Sequence, residues 1–144
     1  MRISKEIVAV SRYFRQQRHG YMEQLGLKGL HARFLTDICQ DPGISQDGLA
    51  QRIGIDKSNV ARQVAFLEEN EFLYREPSSS DKRVMCLYPT EKTLDMLPGL
   101  QAAMELWEQT LLQDLTEQEA EQLYALLARV SQRARKEYAD GKIG

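Results

Sequence analysis

Lys57, Ser58, Asn59, Arg62 and Gln63 crowd five hydrogen-bonding side chains into positions 57–63 of the 144-residue sequence. Arginine can hold the O6 and N7 atoms of guanine with two parallel hydrogen bonds, and asparagine or glutamine can hold N6 and N7 of adenine the same way. Lysine and serine at a helix start suit phosphate, because unpaired backbone N–H groups and the positive end of the helix dipole lie there. A second group, Ser78, Ser79, Ser80, Asp81, Lys82 and Arg83, sets two cations behind a run of small hydroxyls. An extended basic tip of this kind can enter a narrow groove of negative potential, with Arg83 the side chain to insert and Lys82 beside it. Asp81 is expected to turn inward, holding the tip or orienting an arginine.

No comparable set supports catalysis. His19 and His31 are the only histidines, and neither stands at metal-ligand spacing from a cysteine. No glycine-rich phosphate loop or nucleophile motif occurs, so no catalytic residue, metal or cofactor is expected. Cys39 and Cys86 each fall within an apolar segment and read as two buried thiols, where burial raises the pKa and dulls reactivity. Glu117, Glu119 and Glu121 read as helix capping and solvated charge.

The formal net charge is −2, which runs against a nucleic-acid binder. The charges are uneven, however. Residues 1–36 carry Arg2, Lys5, Arg12, Arg15, Arg18, Lys28 and Arg33 against Glu6 and Glu23, whereas the chain from Thr93 onward is acidic. Phosphate binding follows the local field more than the total. No apolar run reaches the roughly 18 residues of a membrane span and the start, MRISKEIVAV, has no signal-peptide pattern, so no membrane partner and a cytoplasmic location are expected.

Elements must position these side chains. Ile3, Ile7, Val10, Phe14, Tyr21 and Leu25 repeat with the period of one helix face and predict a helix over 3–25. Leu30, Phe34, Leu35, Ile38 and Cys39 predict a second, stopped by Asp41, Pro42 and Gly43. Two helix starts then follow, each with a cap and an apolar staple: Ser45 between Ile44 and Leu49, and Asp56 between Ile55 and Val60. Gly54 lies where a left-handed residue is wanted between them. Leu49, Ala50 and Ile53 can face Val60, Val64 and Leu67, giving a helix-turn-helix whose second helix turns its polar cluster outward. FLYREPSSSDKRVMCLYPT reads as a β-hairpin, a wing, with the serine-rich tip at its turn. Thr90 caps a helix over 91–112 that Pro98 and Gly99 are expected to kink, and Thr116 with Glu119 forms the capping box of a last helix over 117–138. The expected fold is mainly α with a small β-hairpin wing: one domain over 1–144, with a winged helix-turn-helix lobe at 30–90 and helical dimerisation regions at 1–29 and 91–144.

LAQRIGIDKSNVARQVAFLEEN followed by YREPSSSDKRVMCLYPTEKT resembles the winged helix of the MarR family, including an Asp-x-Arg wing signature at Asp81 and Arg83. The resemblance is specific over about residues 45–93 and extends in outline to the flanking helices. It implies a transcription regulator that binds double-stranded DNA as a homodimer, with the helix after Asp56 as recognition helix and Arg83 in the minor groove. It implies further that a small aromatic or phenolic effector, or an oxidant, lowers DNA affinity. Tyr13, Arg18, His19, Tyr21, His31 and Arg33, at the junction of the first two helices, mix aromatic and basic groups suited to an apolar anion and favour the ligand. The competing reading of these six is an ordinary dimer surface. Glu71 departs from the family, which commonly has glycine after the recognition helix, and Asn70 is expected to take the left-handed turn instead. The alternative function is a winged helix that docks other proteins without binding DNA; it would show apolar residues on the recognition surface, where Phe66 is the only candidate.

Overall fold

The computed structural model describes residues 2–139. The elements run α1 (Arg2–Glu23), α2 (Gly29–Gln40), β1 (Ile44–Ser45), α3 (Gln46–Ile53), α4 (Lys57–Glu69), β2 (Leu73–Pro77), β3 (Met85–Pro89), α5 (Glu91–Leu112) and α6 (Glu117–Ala139). The chain divides into two compact units, Met1–Met104 and Glu105–Gly144. The lobe expected over 30–90 lies wholly within the first.

Each helix boundary has a local cause. α1 closes with Gly26 at φ +75, the Leu27 N–H bonding the Met22 carbonyl and the Gly26 N–H bonding that of Glu23; this pairing is the Schellman stop. The Ser45 hydroxyl accepts the Gly48 N–H at 2.9 Å to start α3, and the Asp56 carboxylate accepts the Asn59 N–H at 2.7 Å to start α4. Gly54, between them, is left-handed at φ +80 as expected. The Thr90 hydroxyl caps α5, which continues through Pro98. Thr116 and Glu119 exchange both bonds of the capping box ahead of α6.

The core of the first unit gathers Met22 of α1, Phe34, Leu35 and Ile38 of α2, Leu49 of α3, Val60, Val64 and Leu67 of α4, Leu73 of β2, Leu87 of β3 and Leu100 of α5, all essentially without solvent contact. Each such side chain contributes roughly 1.5–3 kcal/mol through burial. The α4 residues are the ones that the apolar spacing turns inward, so the polar 57–63 cluster is left on the outer face.

Three features differ from the sequence expectations. The hairpin is joined by a third strand, in the antiparallel order β1-β3-β2, because Ile44 and Ser45 pair with Leu87 and Cys86. The left-handed residue after α4 is Glu71, at φ +65, and not Asn70, which stays at φ −93. The stop has the same hydrogen bonds as that of α1, Phe72 N–H to Leu67 O and Glu71 N–H to Glu68 O, and this geometry places the turn one residue beyond the cap. Lastly, Cys39 and Cys86 are half-buried, not buried, although burial still pushes the Cys39 thiol up.

Candidate nucleic-acid interface

α4 begins with three successive polar residues because the Asp56 cap, not the core, fixes its first turn. Lys57 reaches Asp47 of α3 at 3.5 Å, a loose exposed pair worth little to folding. Ser58 and Arg62 are exposed, so the guanidinium that sequence spacing assigns to a base edge is open to solvent.

Asn59 and Gln63, one turn apart on α4, are half-buried and bonded to each other, the Gln63 amide donating to Asn59 Oδ1 at 3.1 Å. Gln63 Oε1 also lies 2.7 Å from His31 Nε2. His31 is almost completely buried at the start of α2, where its Nδ1 accepts the Lys28 backbone N–H at 3.0 Å. Its ring stacks on Phe66 with centroids 5.0 Å apart and planes 15° from parallel. Burial holds the imidazole pKa below its ordinary value; the Gln63 bond opposes this and the Lys28 charge adds to it. The sequence grouped His31 with Arg33 and the α1 aromatics, and its link to α4 is the feature that residue types did not reveal. The only signal was its place three residues into a helix start, where a side chain can reach back to the cap N–H. The stack also accounts for Phe66, which is 38% exposed yet covered on one ring face.

The wing follows directly. Arg75 of β2 grips Glu68 of α4 through three N–H···O contacts of 2.9–3.2 Å, so the strand is tied to that helix. This pair holds the Glu68 carboxyl below the usual carboxylate range. At the tip, Asp81 accepts the Arg83 backbone N–H at 3.0 Å and pairs with its guanidinium at 3.1 and 3.2 Å. Those bonds, the side-chain one first, lower the Asp81 pKa. The Arg83 side chain is nevertheless 91% exposed, and Lys82 beside it is exposed too.

The six residues at the α1–α2 junction are only partly assembled. Tyr13, Arg18 and Tyr21 are half-buried; Tyr13 meets Phe14 edge-on, and His19 lies against the backbone at Gly29 and 3.9 Å from Glu23. Arg33 is engaged by Asp37 at 2.9 Å and His31 by Gln63. Among the described residues, no group of three or more histidine, cysteine or acidic side chains could hold a metal, and no helix is long and apolar enough to cross a membrane.

Residues 30–85 match the MarR family model. The HTH-type transcriptional regulator YybA of Bacillus subtilis is 32% identical over 111 residues, 77% of this chain and 74% of that protein. The crystal structure of the transcriptional regulator SlyA superposes with a TM-score of 0.85 at 29% identity, covering 96% of this chain and 98% of that one. A MarR-family regulator from Listeria monocytogenes, crystallised with a 26mer DNA, has the same fold, with a TM-score of 0.85 at 24% identity over 100% of this chain and 96% of that one. Fold, capped helix pair, wing and relatives agree: the chain belongs to the MarR family of winged helix-turn-helix transcription regulators.

Proposed function

We propose that the protein binds a pseudo-palindromic operator as a homodimer, most readily as a repressor, with α4 in the major groove and the wing in the flanking minor groove. The observation that carries this is the shared exposure of Arg62 on α4 and Arg83 on the wing tip, with the wing fastened to α4 by Glu68 and Arg75. Arg62 and Asn59 serve as base readers, Gln63 lies beside them, Lys57, Ser58 and Lys82 meet phosphate, Arg83 enters the minor groove, and Asp81 stabilises the wing. The Listeria relative, crystallised with a 26mer DNA, supports DNA as the ligand. Selection of bound fragments from randomised duplexes tests it: a two-fold symmetric site is expected, with affinity falling steeply in salt at a log–log slope near −0.9 per phosphate neutralised. Absence of any selected sequence would refute it.

Dimerisation draws support from apolar surface. Ile3, Ile7, Val8 and Val10 of α1 are exposed, as are Leu123, Tyr124, Leu126, Leu127 and Val130 of α6. α6 buries none of its described residues, and such faces call for a partner. Residues 1–29 and 91–144 would supply it, with recognition helices about 34 Å apart, one turn of DNA. A stable monomer at micromolar concentration would overturn this reading. A cytoplasmic location accords with the role, which requires no catalysis.

An aromatic or phenolic effector at Tyr13, Arg18, His19, Tyr21, His31 and Arg33 is the control most compatible with these groups. Half-buried Tyr13, Arg18 and Tyr21 favour it, while Arg33 would have to leave Asp37 to meet an anion. An aromatic carboxylate that weakens operator binding tenfold must itself bind tenfold less tightly to the complex, about 1.4 kcal/mol. Equal affinity for free and DNA-bound protein would exclude that compound.

A further inference from the structure

We propose that His31 is a positioning residue for base recognition: through Gln63 it turns the Asn59 amide so that its N–H donors, and not its carbonyl, face the base edge. The inference rests on the DNA-reading function proposed above and says which edge that site reads.

The argument is one of donors and acceptors, and it starts from a group that cannot be reversed. The Lys28 backbone N–H can only donate, and it meets His31 Nδ1 at 3.0 Å, so Nδ1 carries a lone pair. An imidazole that accepts at Nδ1 is neutral and has its proton on Nε2, and burial, which lowers the pKa, favours that form. The Gln63 atom 2.7 Å from Nε2 must therefore be the acceptor Oε1. This leaves Gln63 Nε2 as the atom that faces Asn59, and an N–H there requires the acceptor Oδ1 at 3.1 Å. The Asn59 NH2 group is what remains for a ligand. Each amide alone could be flipped at little cost, but the chain of bonds fixes both from one backbone amide. The stack on Phe66 holds the ring plane that the relay needs.

The consequence for DNA is specific. An amide that offers both a donor and an acceptor reads adenine, whereas one that offers donors alone reads acceptor edges, O6 and N7 of guanine or O4 of thymine. Gln63, bonded at both ends, acts as the link and not as the reader.

The test is selection from randomised duplex DNA with the full-length protein and its variants. Asn59→Ala identifies the symmetric pair of positions that Asn59 reads, as the pair whose preference disappears. In the wild-type protein one base pair is expected there, favoured by about tenfold, with its guanine or thymine on the strand that Asn59 contacts, which removing the base from either strand of the selected duplex identifies. Gln63→Glu is the informative variant: its carboxylate only accepts, so one oxygen stays on His31 Nε2–H while the other takes an Asn59 N–H and turns Oδ1 outward. Preference at that pair should reverse, placing adenine or cytosine, whose exocyclic amines donate, on the contacted strand, with the other positions unchanged. His31→Leu should relax the pair to within about threefold, and His31→Gln, which restores an N–H near the Nε2 position, should recover it. Gln63 is half-exposed, so its variant keeps the question open to refutation even if His31→Leu does not fold. Adenine or cytosine on the strand that Asn59 contacts in the wild-type complex, an unchanged consensus in Gln63→Glu or His31→Leu, or no position that depends on Asn59 would each overturn the inference. Wild-type protein that selects no sequence at all would refute the DNA-reading function itself, and the inference with it.

Discussion

Breaking the ion pair between Glu68 and Arg75 separates two roles that a wing anchor could have. The contacts of 2.9, 3.2 and 3.2 Å form a two-pronged grip, stronger than a single-point surface pair, but both side chains remain about one-third exposed, at 35% and 33%, so solvent discounts it. A coupling of about 0.5–1 kcal/mol is expected from a cycle of Glu68→Ala, Arg75→Ala and the double variant, read by urea or thermal unfolding. The same energy shifts the Tm by roughly 2–4 °C in a chain of this size. Because the pair holds the Glu68 carboxyl below the ordinary glutamate range, its contribution is complete above the unfolded pKa and is lost as pH falls through the lower folded value. DNA binding gives the sharper reading. Glu68→Ala removes a negative charge from α4 itself, so charge alone would tighten binding to a phosphate backbone. A wing that must be held at a fixed angle to α4 predicts the reverse, a loss of a fewfold or more for the selected operator with little change for random duplex. Fluorescence anisotropy at matched ionic strength measures both. Tighter operator binding by Glu68→Ala, or a coupling below about 0.2 kcal/mol, would refute the reasoning.

Arg62→Ala should cost about 1–3 kcal/mol of operator binding and relax one base pair in each half-site, with folding stability unchanged within about 0.5 kcal/mol. Arg83→Ala should weaken sites flanked by A·T-rich minor groove more than G·C-rich ones, and normal binding by both variants at about 150 mM salt would dismiss the assignment. His31 binds a proton less readily folded than unfolded, so its contribution to stability is present above the ordinary histidine pKa and declines as pH falls through the lower folded value. The Tm of the wild-type protein should therefore drop more between about pH 7.5 and 5.5 than that of His31→Gln, and parallel curves would count against it. Glu71→Gly should relieve a left-handed backbone costing about 1–2 kcal/mol and lose about 0.4–1 through the freer unfolded chain, a small net gain. Asn70→Gly, at φ −93, has nothing to relieve and should destabilise.

What could be read from residue types was local. Ser45, Asp56, Thr90 and Thr116 announce helix starts because each cap bonds the N–H three residues ahead. Val60, Val64 and Leu67 announce which face of α4 is buried because their spacing alone decides it. Lys57, Ser58 and Arg62 are exposed for the same reason, while Asn59 and Gln63 are half-buried. What could not be read depends on partners far along the chain. The strand β1 is two residues long and exists because β3 passes beside it, and the half-exposure of Cys39 and Cys86 depends on how apolar segments meet. His31 and Gln63 stand 32 positions apart, so no periodicity links them.

Glu71 shows how such partners override a local preference. At Gly26 and Gly54 the chain turns left-handed at glycine, and the sequence signals the stop. After α4 the same turn is made with a side chain in place, which removes the signal but not the geometry. The reason lies on both sides of it. Phe72 and Leu73 must enter the core directly after Asn70 ends its helix, and both are buried. A Thr90 hydroxyl bond to the Glu71 carbonyl at 2.6 Å, a Thr93 hydroxyl bond to that of Phe72 at 2.5 Å and a Lys92 ammonium bond to that of Asn70 at 3.0 Å then hold the turn from the start of α5. Three bonds of roughly 1 kcal/mol each offset the left-handed strain. They also join the C-terminal end of α4 to the start of α5. Glu71, where the family commonly has glycine, thus lies where α4 is fastened to the start of α5.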